Sequence, residues 1–340
     1  MILIDAVYIN NGGGLVLLKY LIETIKSLDL EVFFVLDDRL KNQLDDFSLV
    51  NCVYISSSFI ERYRFYKNNR NKYNKVLCFG NVPPPLKLKK SEVLVYFHQP
   101  LFLDIPQDFS LKNKIIYTIK QNILSFFKEN ADCWLVQSPF IANNFSSKYL
   151  KSKKDKLKIL PFYPELNFLK FGKNIVRKQN SFIYVSNSSP HKNHLKLIDA
   201  FCQYFDQTHL GSLTLTVPNT DIFLNNIIQE KNNLGYPIYN AGFVNREKLT
   251  ELYLSHEHLI FPSLAESFGL GLVEAIDGGC KIIAADMSYT YEVCEPSLTF
   301  DPHSIESIKN AIATAIDEEL PLANKLIEND ISKIIRILAE

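Results

Sequence analysis

Short runs of apolar residues recur along this chain, and stretches with helical spacing separate them. The runs lie at residues 32–36, 76–79, 93–97, 133–136, 182–185, 212–217, 258–261 and 281–284. Runs of this length are typical of strands buried on both faces, as in parallel sheets covered by helices. The alternation of strand and helix therefore predicts an α/β fold built from doubly wound parallel sheets.

The chain is long enough for two domains. Its 340 residues, 47% of them hydrophobic, suffice for two buried cores. Between residues 160 and 180, Pro161, Pro164 and a cluster of Lys and Arg interrupt the periodicity. We therefore predict a first domain over residues 1–165 and a second over residues 166–340.

Residues 261–275 combine the end of a buried strand, a turn that contains glycine and the start of an apolar helix. The first turn of such a helix leaves the backbone amides of Phe268, Gly269 and Leu270 without partners inside the helix. The positive end of the helix dipole lies behind these amides. The segment therefore predicts a phosphate site.

Two glutamates flank this site, because Glu266 precedes the helix and Glu274 lies within it. Carboxylates accept hydrogen bonds from hydroxyl groups, so one glutamate could hold a sugar and the other a ribose. A sugar and a ribose on either side of a diphosphate describe a nucleotide-sugar.

This segment and its surroundings resemble glycosyltransferase family 4, the RfaG-like retaining enzymes of the GT-B fold. The motifs that carry the resemblance are FIYV at 182–185, SPHKN at 189–193, NAGFV at 240–244, FPS at 261–263 and the paired glutamates. The resemblance is close over residues 180–315 and looser before them. It implies two Rossmann-like domains facing a central cleft, with the acceptor bound by the first domain and the donor by the second. It also implies a last helix that packs back on the first domain.

The resemblance assigns roles to individual residues. It implies that Glu274 binds the ribose of the donor and that Glu266 binds the transferred sugar. It also implies that Lys192 is the cation that binds the diphosphate. Where many members of the family carry an arginine, this chain has Asn187. The other donor-binding residues that it implies are Phe243, Val244, Ser267, Phe268, Gly269 and Leu270.

At the amino terminus, residues 1–9 are predicted to form a strand, residues 10–14 a glycine loop and residues 15–25 a helix. In the family such a loop lies near the donor phosphate or the acceptor. Gly13 and Gly14 would allow the backbone to approach either ligand closely. A nicotinamide site would need a third glycine, which is missing after Gly14.

His98 follows the apolar run at 93–97 and comes just before Pro100. The ends of strands are where sites collect in α/β proteins. In the family, a histidine at such a position faces the transferred sugar and the acceptor, so His98 joins Lys192 and Glu266 as a catalytic candidate. The alternative is a histidine that only caps the loop after its strand.

The net charge of zero conceals an asymmetry between the two halves. Residues 1–165 contain 23 Lys and Arg against 16 Asp and Glu, whereas residues 166–340 contain 14 against 21. The basic residues at 62–75 and 112–128 are interleaved with aromatic ones, which predicts peripheral contact with an anionic membrane. A solvated basic face is the alternative. No recognisable nucleic-acid module accompanies these residues, so nucleic acid is not an expected partner.

Metal, cofactor and location are predicted from what the sequence lacks. No Asp-x-Asp motif occurs, so we expect neither a metal nor another cofactor. Six scattered cysteines without metal-ligand spacing indicate a reducing cytoplasm. An initial strand and the absence of apolar runs of about 18 residues argue against a signal peptide or a membrane span. We therefore expect a cytoplasmic protein, peripheral on the inner face of the cell membrane.

The resemblance implies a retaining hexosyltransferase, and the missing Asp-x-Asp motif predicts that it needs no metal. Its donor would be a nucleotide-sugar and its acceptor a glycan or a lipid-linked sugar, in the synthesis of a bacterial surface polysaccharide such as capsule, O-antigen or lipopolysaccharide. Two alternatives remain open. One is a glycoside hydrolase that uses the paired glutamates, and the other is a nucleotide-sugar-binding homologue without activity, which Asn187 would favour.

Overall fold

The structure is a computed structural model that describes residues 1–28, 30–44, 47–106, 109–151 and 154–340. The chain divides into two compact units. Unit 1 comprises Met1–Pro164 and Glu328–Glu340, and unit 2 comprises Glu165–Ile327. The chain therefore leaves unit 1 once and returns to it at its end.

In the described part of unit 1, seven strands form one sheet in the order β3-β2-β1-β4-β5-β6-β7, and every neighbouring pair is parallel. The strands are β1 (Ile2–Ala6), β2 (Val32–Asp37), β3 (Cys52–Ile55), β4 (Lys75–Cys78), β5 (Glu92–Phe97), β6 (Cys133–Val136) and β7 (Leu157–Ile159). The central strands are buried on both faces, as their continuous apolar runs require. The helices between the strands are α1 (Gly12–Lys26), α2 (Phe59–Asn69), α3 (Leu111–Phe127) and α4 (Pro139–Tyr149).

Unit 2 repeats this plan with six parallel strands in the order β10-β9-β8-β11-β12-β14. A two-residue antiparallel pair, β13 with β15, lies outside this sheet. The strands are β8 (Lys178–Tyr184), β9 (Ser212–Leu215), β10 (Ile238–Asn240), β11 (His256–Phe261), β12 (Lys281–Ala285), β13 (Cys294–Glu295), β14 (Leu298–Phe300) and β15 (Asn324–Lys325). The helices are α5 (His194–Thr208), α6 (Ile222–Asn233), α7 (Arg246–Ser255), α8 (Leu270–Asp277), α9 (Ser288–Val293) and α10 (Ile305–Asp317).

The last helix, α11 (Ile331–Ala339), packs on unit 1. Its buried residues are Ile334 and Leu338, and Lys75 Nζ donates a hydrogen bond of 2.5 Å to the carbonyl of Ile337. Just before the helix, Asn329 Nδ2 donates to the carbonyl of Tyr163 at 2.9 Å. These contacts fasten the end of the chain to unit 1.

The predicted α/β fold with two doubly wound parallel sheets is confirmed. Each of the eight predicted runs contains or overlaps a strand, and an initial strand is present as β1. The sequence patterns missed β3, β7, β10 and β14, and also the two-residue strands β13 and β15. None of the helices among the described residues is long and apolar enough to cross a bilayer.

Candidate functional site

The strand order of unit 2 reverses between β8 and β11, which pair through Phe182 with His258 and Ile183 with Leu259. Open parallel sheets bind ligands at the carboxyl ends of the strands at such a reversal, because the loops there leave in opposite directions. Residues 185–193 follow β8 and residues 262–269 follow β11. The topology therefore brings together the two segments predicted to bind the donor.

Hydrogen bonds tie these two segments together. The amide of Leu264 donates to the carbonyl of His191 at 2.7 Å. Asn193, with φ of 60°, donates from Nδ2 to the carbonyls of Pro262 at 3.2 Å and Pro302 at 2.8 Å. Asparagine is one of the few side chains that adopt this left-handed conformation readily. Asn193 therefore fixes the loop after β8 against the loop after β11.

Lys192 and Glu266 form an ion pair where the two segments meet. Their side chains are only 13% and 12% exposed, so little water screens the pair. The hydroxyl of Tyr184 donates to the carbonyl of Lys192 at 2.9 Å and holds its backbone. An ammonium group has three donor hydrogens. Lys192 can therefore bond Glu266 and an anion at the same time.

Helix α8 begins at Leu270, four residues after Glu266. Its N-cap is Gly269, whose φ of 72° lies in the left-handed region, and the amide of Leu272 donates to the Gly269 carbonyl at 2.9 Å. Glycine has no side chain with which to cap the first amides of the helix. A Cβ at this position would lie 3.0 Å from Leu272 Cδ1, and the backbone conformation would be strained. The N-cap residue of α8 therefore gives the first amides of the helix no side-chain hydrogen bond.

Glu274, on the second turn of α8, is 4% exposed. Its Oε1 accepts a hydrogen bond from Arg246 at 3.1 Å, and its Oε2 accepts one from the hydroxyl of Tyr253 at 3.4 Å. Burial raises the pKa of Glu274 to about 7, against the opposing effect of Arg246. Glu274 is therefore a carboxyl group that titrates near neutral pH.

Arg246 and the hydroxyl of Tyr253 are site residues to which sequence reasoning assigned no role. Arg246 is the first residue of α7, whose N-cap Asn245 accepts from the amide of Lys248 at 2.8 Å. Tyr253 lies two turns later on the same helix and is fully buried. The pairing with Glu274 depends on how α7 packs in unit 2, so no local sequence pattern would have revealed it.

The other predicted donor residues differ in burial. Phe268 is buried, whereas Leu270, Ser267 and Val244 are partly buried. Phe243 is 87% exposed. Asn187 is also exposed, and its Oδ1 accepts from the amide of Ser189 at 3.0 Å. Asn187 thus shapes the loop after β8 where the family resemblance would place an arginine.

Histidines close to the pair are held in their neutral form. Burial lowers the pKa of His191 to about 4, and the charge of Lys192 acts in the same direction. Burial likewise lowers the pKa of His194 to about 3. His191 therefore adds no positive charge to the SPHKN motif at neutral pH.

In unit 1, Gly13 and Gly14 lie in the first turn of α1, which corrects the prediction of a loop over residues 10–14. The helix can begin this early because its first amides need no partner inside the helix. A Cβ on Gly14 would lie 2.9 Å from His98 Cε1, whereas a Cβ on Gly13 would meet nothing within 4 Å. The absence of a side chain at Gly14 therefore allows α1 to pack against His98.

His98 follows β5 and is partly buried. Its amide donates to Asn81 Oδ1 at 2.6 Å, and its Nε2 lies 2.9 Å from the carbonyl of Phe79. The donor Asn81 Nδ2 also lies 3.4 Å from Nε2, but the carbonyl is nearer and can only accept, so the contacts favour a hydrogen on Nε2. Burial lowers the pKa of His98 to about 4. The imidazole is therefore neutral and a weak base.

A buried ion pair supports the start of the loop after β1. Arg62 and Asp5 are 2% and 1% exposed, and a nitrogen of Arg62 lies 2.8 Å from Asp5 Oδ2. The hydroxyl of Tyr66 donates to the same oxygen at 2.7 Å, and Asp5 Oδ1 accepts from the amide of Val7 at 3.2 Å. With these partners both charges are satisfied, and the backbone that leads into α1 is fixed.

Residues 167–333, just under half of the chain, match the family described as glycosyl transferases group 1. The chain therefore carries a glycosyl transferases group 1 domain. This domain contains the Lys192–Glu266 pair, α8 and Glu274. The predicted glycosyltransferase resemblance is thus confirmed at this coarser level.

The chain is also similar to known proteins. O-antigen chain mannosyltransferase B of Escherichia coli is 25% identical over 145 residues, which is 42% of this chain. The match spans only 38% of the length of that relative.

Among solved structures, Anabaena Alr3699/HepE in complex with UDP and glucose matches with a TM-score of 0.66 and 16% identity over 94% of this chain and 90% of that one. A glycosyltransferase from Rickettsia africae ESF-5 matches with a TM-score of 0.68 and 16% identity, over 99% of this chain and 91% of that one. These likenesses establish the fold, which is GT-B.

Proposed function

We propose that this protein is a retaining glycosyltransferase of family 4 that transfers a sugar from a nucleotide-sugar to a glycan or lipid-linked acceptor. The observation that carries the proposal is the largely buried Lys192–Glu266 pair, which lies between the loops after β8 and β11 at the start of α8. A cation and uncapped helix amides suit a diphosphate, and the carboxylate suits sugar hydroxyls. A glycoside hydrolase would need no such anion site.

The relatives support the donor and acceptor classes. HepE was crystallised with UDP and glucose, and the Escherichia coli relative acts on O-antigen chains by its name. We therefore propose a hexose nucleotide as donor and a role in bacterial surface polysaccharide synthesis, in capsule, O-antigen or lipopolysaccharide. The reaction would take place at the cytoplasmic side of the membrane.

Lys192 and the first amides of α8 would stabilise the departing diphosphate, because its negative charge grows as the bond to the sugar breaks. The bond between the anomeric carbon and the phosphate oxygen breaks, and the acceptor oxygen bonds the same face of that carbon. The acceptor proton passes to the departing phosphate oxygen. The configuration at the anomeric carbon is kept, and we propose that no metal is needed.

The remaining site residues would position the donor. Glu274 would accept hydrogen bonds from the ribose, and Glu266 would accept one from the transferred sugar. His98, a neutral imidazole, is proposed to take part in turnover as a hydrogen-bonding group. Its low pKa suits neither a general base nor a general acid at neutral pH.

The test is release of nucleoside diphosphate from a panel of UDP-sugars and GDP-sugars, with and without a soluble glycan acceptor. Release that depends on the acceptor, persists in chelator and gives an α-linked product from an α-configured donor by NMR would support the proposal. Release without acceptor would indicate a hydrolase, and donor binding without release would indicate a non-catalytic homologue. A β-linked product would contradict retention.

A further inference from the structure

The sheet of unit 1 has a strand-order reversal of its own, because β1 lies between β2 and β4. Residues 79–83 follow β4 at the carboxyl edge of this sheet, next to the end of β5, where His98 lies. They include Asn81, which is 7% exposed and has a φ of 67°. A buried polar side chain on a left-handed backbone at such an edge points to a functional role.

The segment that precedes Asn81 is fixed against β1 and the residues after it. The amide of Phe79 donates to the carbonyl of Asp5 at 2.7 Å. A Cβ on Gly80 would lie 2.1 Å from the carbonyl oxygen of Val7, so only glycine allows this approach. The chain therefore enters Asn81 from a fixed position.

The segment that follows Asn81 is held by a buried guanidinium group. Arg62 donates from Nη2 to the carbonyl of Val82 at 2.8 Å and from Nη1 to that of Pro83 at 2.9 Å. Arg62 is itself held in the buried ion pair with Asp5. The surrounding structure therefore imposes the conformation of Asn81 from both sides.

The side chain of Asn81 contacts His98. Its Oδ1 accepts from the amide of His98 at 2.6 Å, and this bond fixes the orientation of the carboxamide because a backbone N–H can only donate. Its Nδ2 then lies 3.4 Å from His98 Nε2. Glycine would suit the left-handed backbone equally well, so the backbone alone does not explain an asparagine at this position. The contacts with His98 do explain it.

Other contacts act on the imidazole ring of His98. Its Nε2 lies 2.9 Å from the carbonyl of Phe79. The rings of Phe79 and Tyr96 have centroids 5.2 Å and 5.9 Å from that of the imidazole. Asn81 adds a hydrogen bond to the main chain of His98, so both the ring and the backbone of this histidine are held.

We infer that Asn81 is a positioning residue that holds the His98 imidazole in place at the carboxyl edge of unit 1. Asn81 acts through His98 and takes no chemical step itself. The inference rests on the proposed function for its effect on turnover, whereas the placement of the imidazole can be measured without turnover.

A double-mutant cycle tests the effect on turnover. Asn81→Gly removes the carboxamide and keeps a residue that adopts positive φ without strain. Its kcat should fall about ten- to a hundredfold because the imidazole is misplaced. The KM for the nucleotide-sugar should stay within about twofold of wild type, because the proposed donor residues lie in unit 2. In a His98→Ala background, Asn81→Gly should change kcat by less than about twofold, since its effect requires the imidazole.

An equal fall of kcat in both backgrounds would overturn the inference. Asn180→Gly is the matched control, because it removes an asparagine with a φ of 54° from β8 of unit 2 and should leave kcat unchanged. The fluorescence of Trp134, which is buried in unit 1, shows that this unit is folded in each variant under the assay conditions.

Nitrogen-15 NMR of the imidazole tests the placement of His98 without substrate. His98→Ala identifies the His98 signals among those of the seven histidines. In the wild type they should report one tautomer, with the hydrogen on Nε2, and in Asn81→Gly they should move toward the average of the two tautomers. Asn81→Asp keeps an acceptor for the His98 amide and places a carboxylate beside Nε2, so the pKa of His98 should rise above its wild-type value of about 4.

Wild-type signals in Asn81→Gly together with a wild-type pKa in Asn81→Asp would overturn the inference. Wild-type protein that turns over no donor, but whose His98 signals respond to both Asn81 variants as expected, would instead contradict the proposed function and leave Asn81 as the residue that positions His98.

Discussion

At the residue scale, each glutamate of the donor site has a cation of its own. Glu266 pairs with Lys192, and Glu274 pairs with Arg246. The sequence motif could predict Glu266, Glu274 and Lys192 because they lie at fixed offsets from a strand and a helix start. It could not predict Arg246, which approaches Glu274 only when α7 packs in unit 2. The sequence could not predict the raised pKa of Glu274 either, because the shift arises from burial in the folded unit.

Glu274→Gln should weaken nucleotide binding, and the loss should depend on pH. Above its pKa of about 7 the wild-type group is ionised and accepts strong hydrogen bonds from ribose, whereas below that pH it becomes neutral like glutamine. We expect a loss of about 1.5 to 3 kcal/mol at pH values well above 7, shrinking as the pH falls below about 6. Calorimetric titration of the nucleotide measures this difference. An equal loss at all pH values would contradict the titration, and no loss would remove the ribose role.

At the scale of elements, the first turn of α1 and the end of β5 fit together through Gly14 and His98. Apolar runs were enough to predict the central strands, because strands buried on both faces leave an unbroken signal. Strands of three residues, such as β7 and β10, are too short to carry a pattern. Residues 12–14, three consecutive glycines, were assigned to a loop because glycine has a low helix propensity, whereas the structure places them at the start of α1.

Gly14→Ala should impair turnover as strongly as His98→Ala, while Gly13→Ala should not. The new methyl group of Gly14→Ala would meet the imidazole at 2.9 Å and displace it, whereas the methyl group of Gly13→Ala would enter open space. Alanine is also the better helix former at both positions, so neither change should unfold α1. Steady-state kinetics on the three variants check this. Unchanged turnover in Gly14→Ala together with impaired His98→Ala would show that the imidazole tolerates the displacement.

At the scale of the whole molecule, the two sheets have similar strand orders, but the two units carry different functional residues. Unit 2 holds the proposed donor residues, and unit 1 holds His98. Alternating strands and helices were sufficient to predict this doubled plan. The return of the chain to unit 1 through α11 was implied by the family resemblance alone, because nothing in the sequence of an amphipathic helix identifies the surface on which it packs.

Ile334→Ala should destabilise unit 1 by about 2 to 4 kcal/mol, because Ile334 is buried where α11 packs on that unit. Trp134 is the single tryptophan of the chain and is buried in unit 1, so its fluorescence reports the unfolding of that unit. Denaturant titration should show a lower midpoint for Ile334→Ala and an unchanged one for Ser332→Ala, which alters an exposed position of the same helix. Equal midpoints for both variants would show that α11 contributes little to unit 1.

The most direct test of the proposed sugar transfer compares two lysine variants in the acceptor-dependent release of nucleoside diphosphate. Lys192→Ala removes the cation proposed to stabilise the departing diphosphate, so its turnover number should fall about a hundredfold or more. Lys325→Ala breaks the more exposed pair of Lys325 with Asp277 at the other end of α8, and its turnover should stay within about twofold of wild type. Wild-type turnover in Lys192→Ala would contradict the proposed site, whereas loss confined to Lys192→Ala is the predicted result.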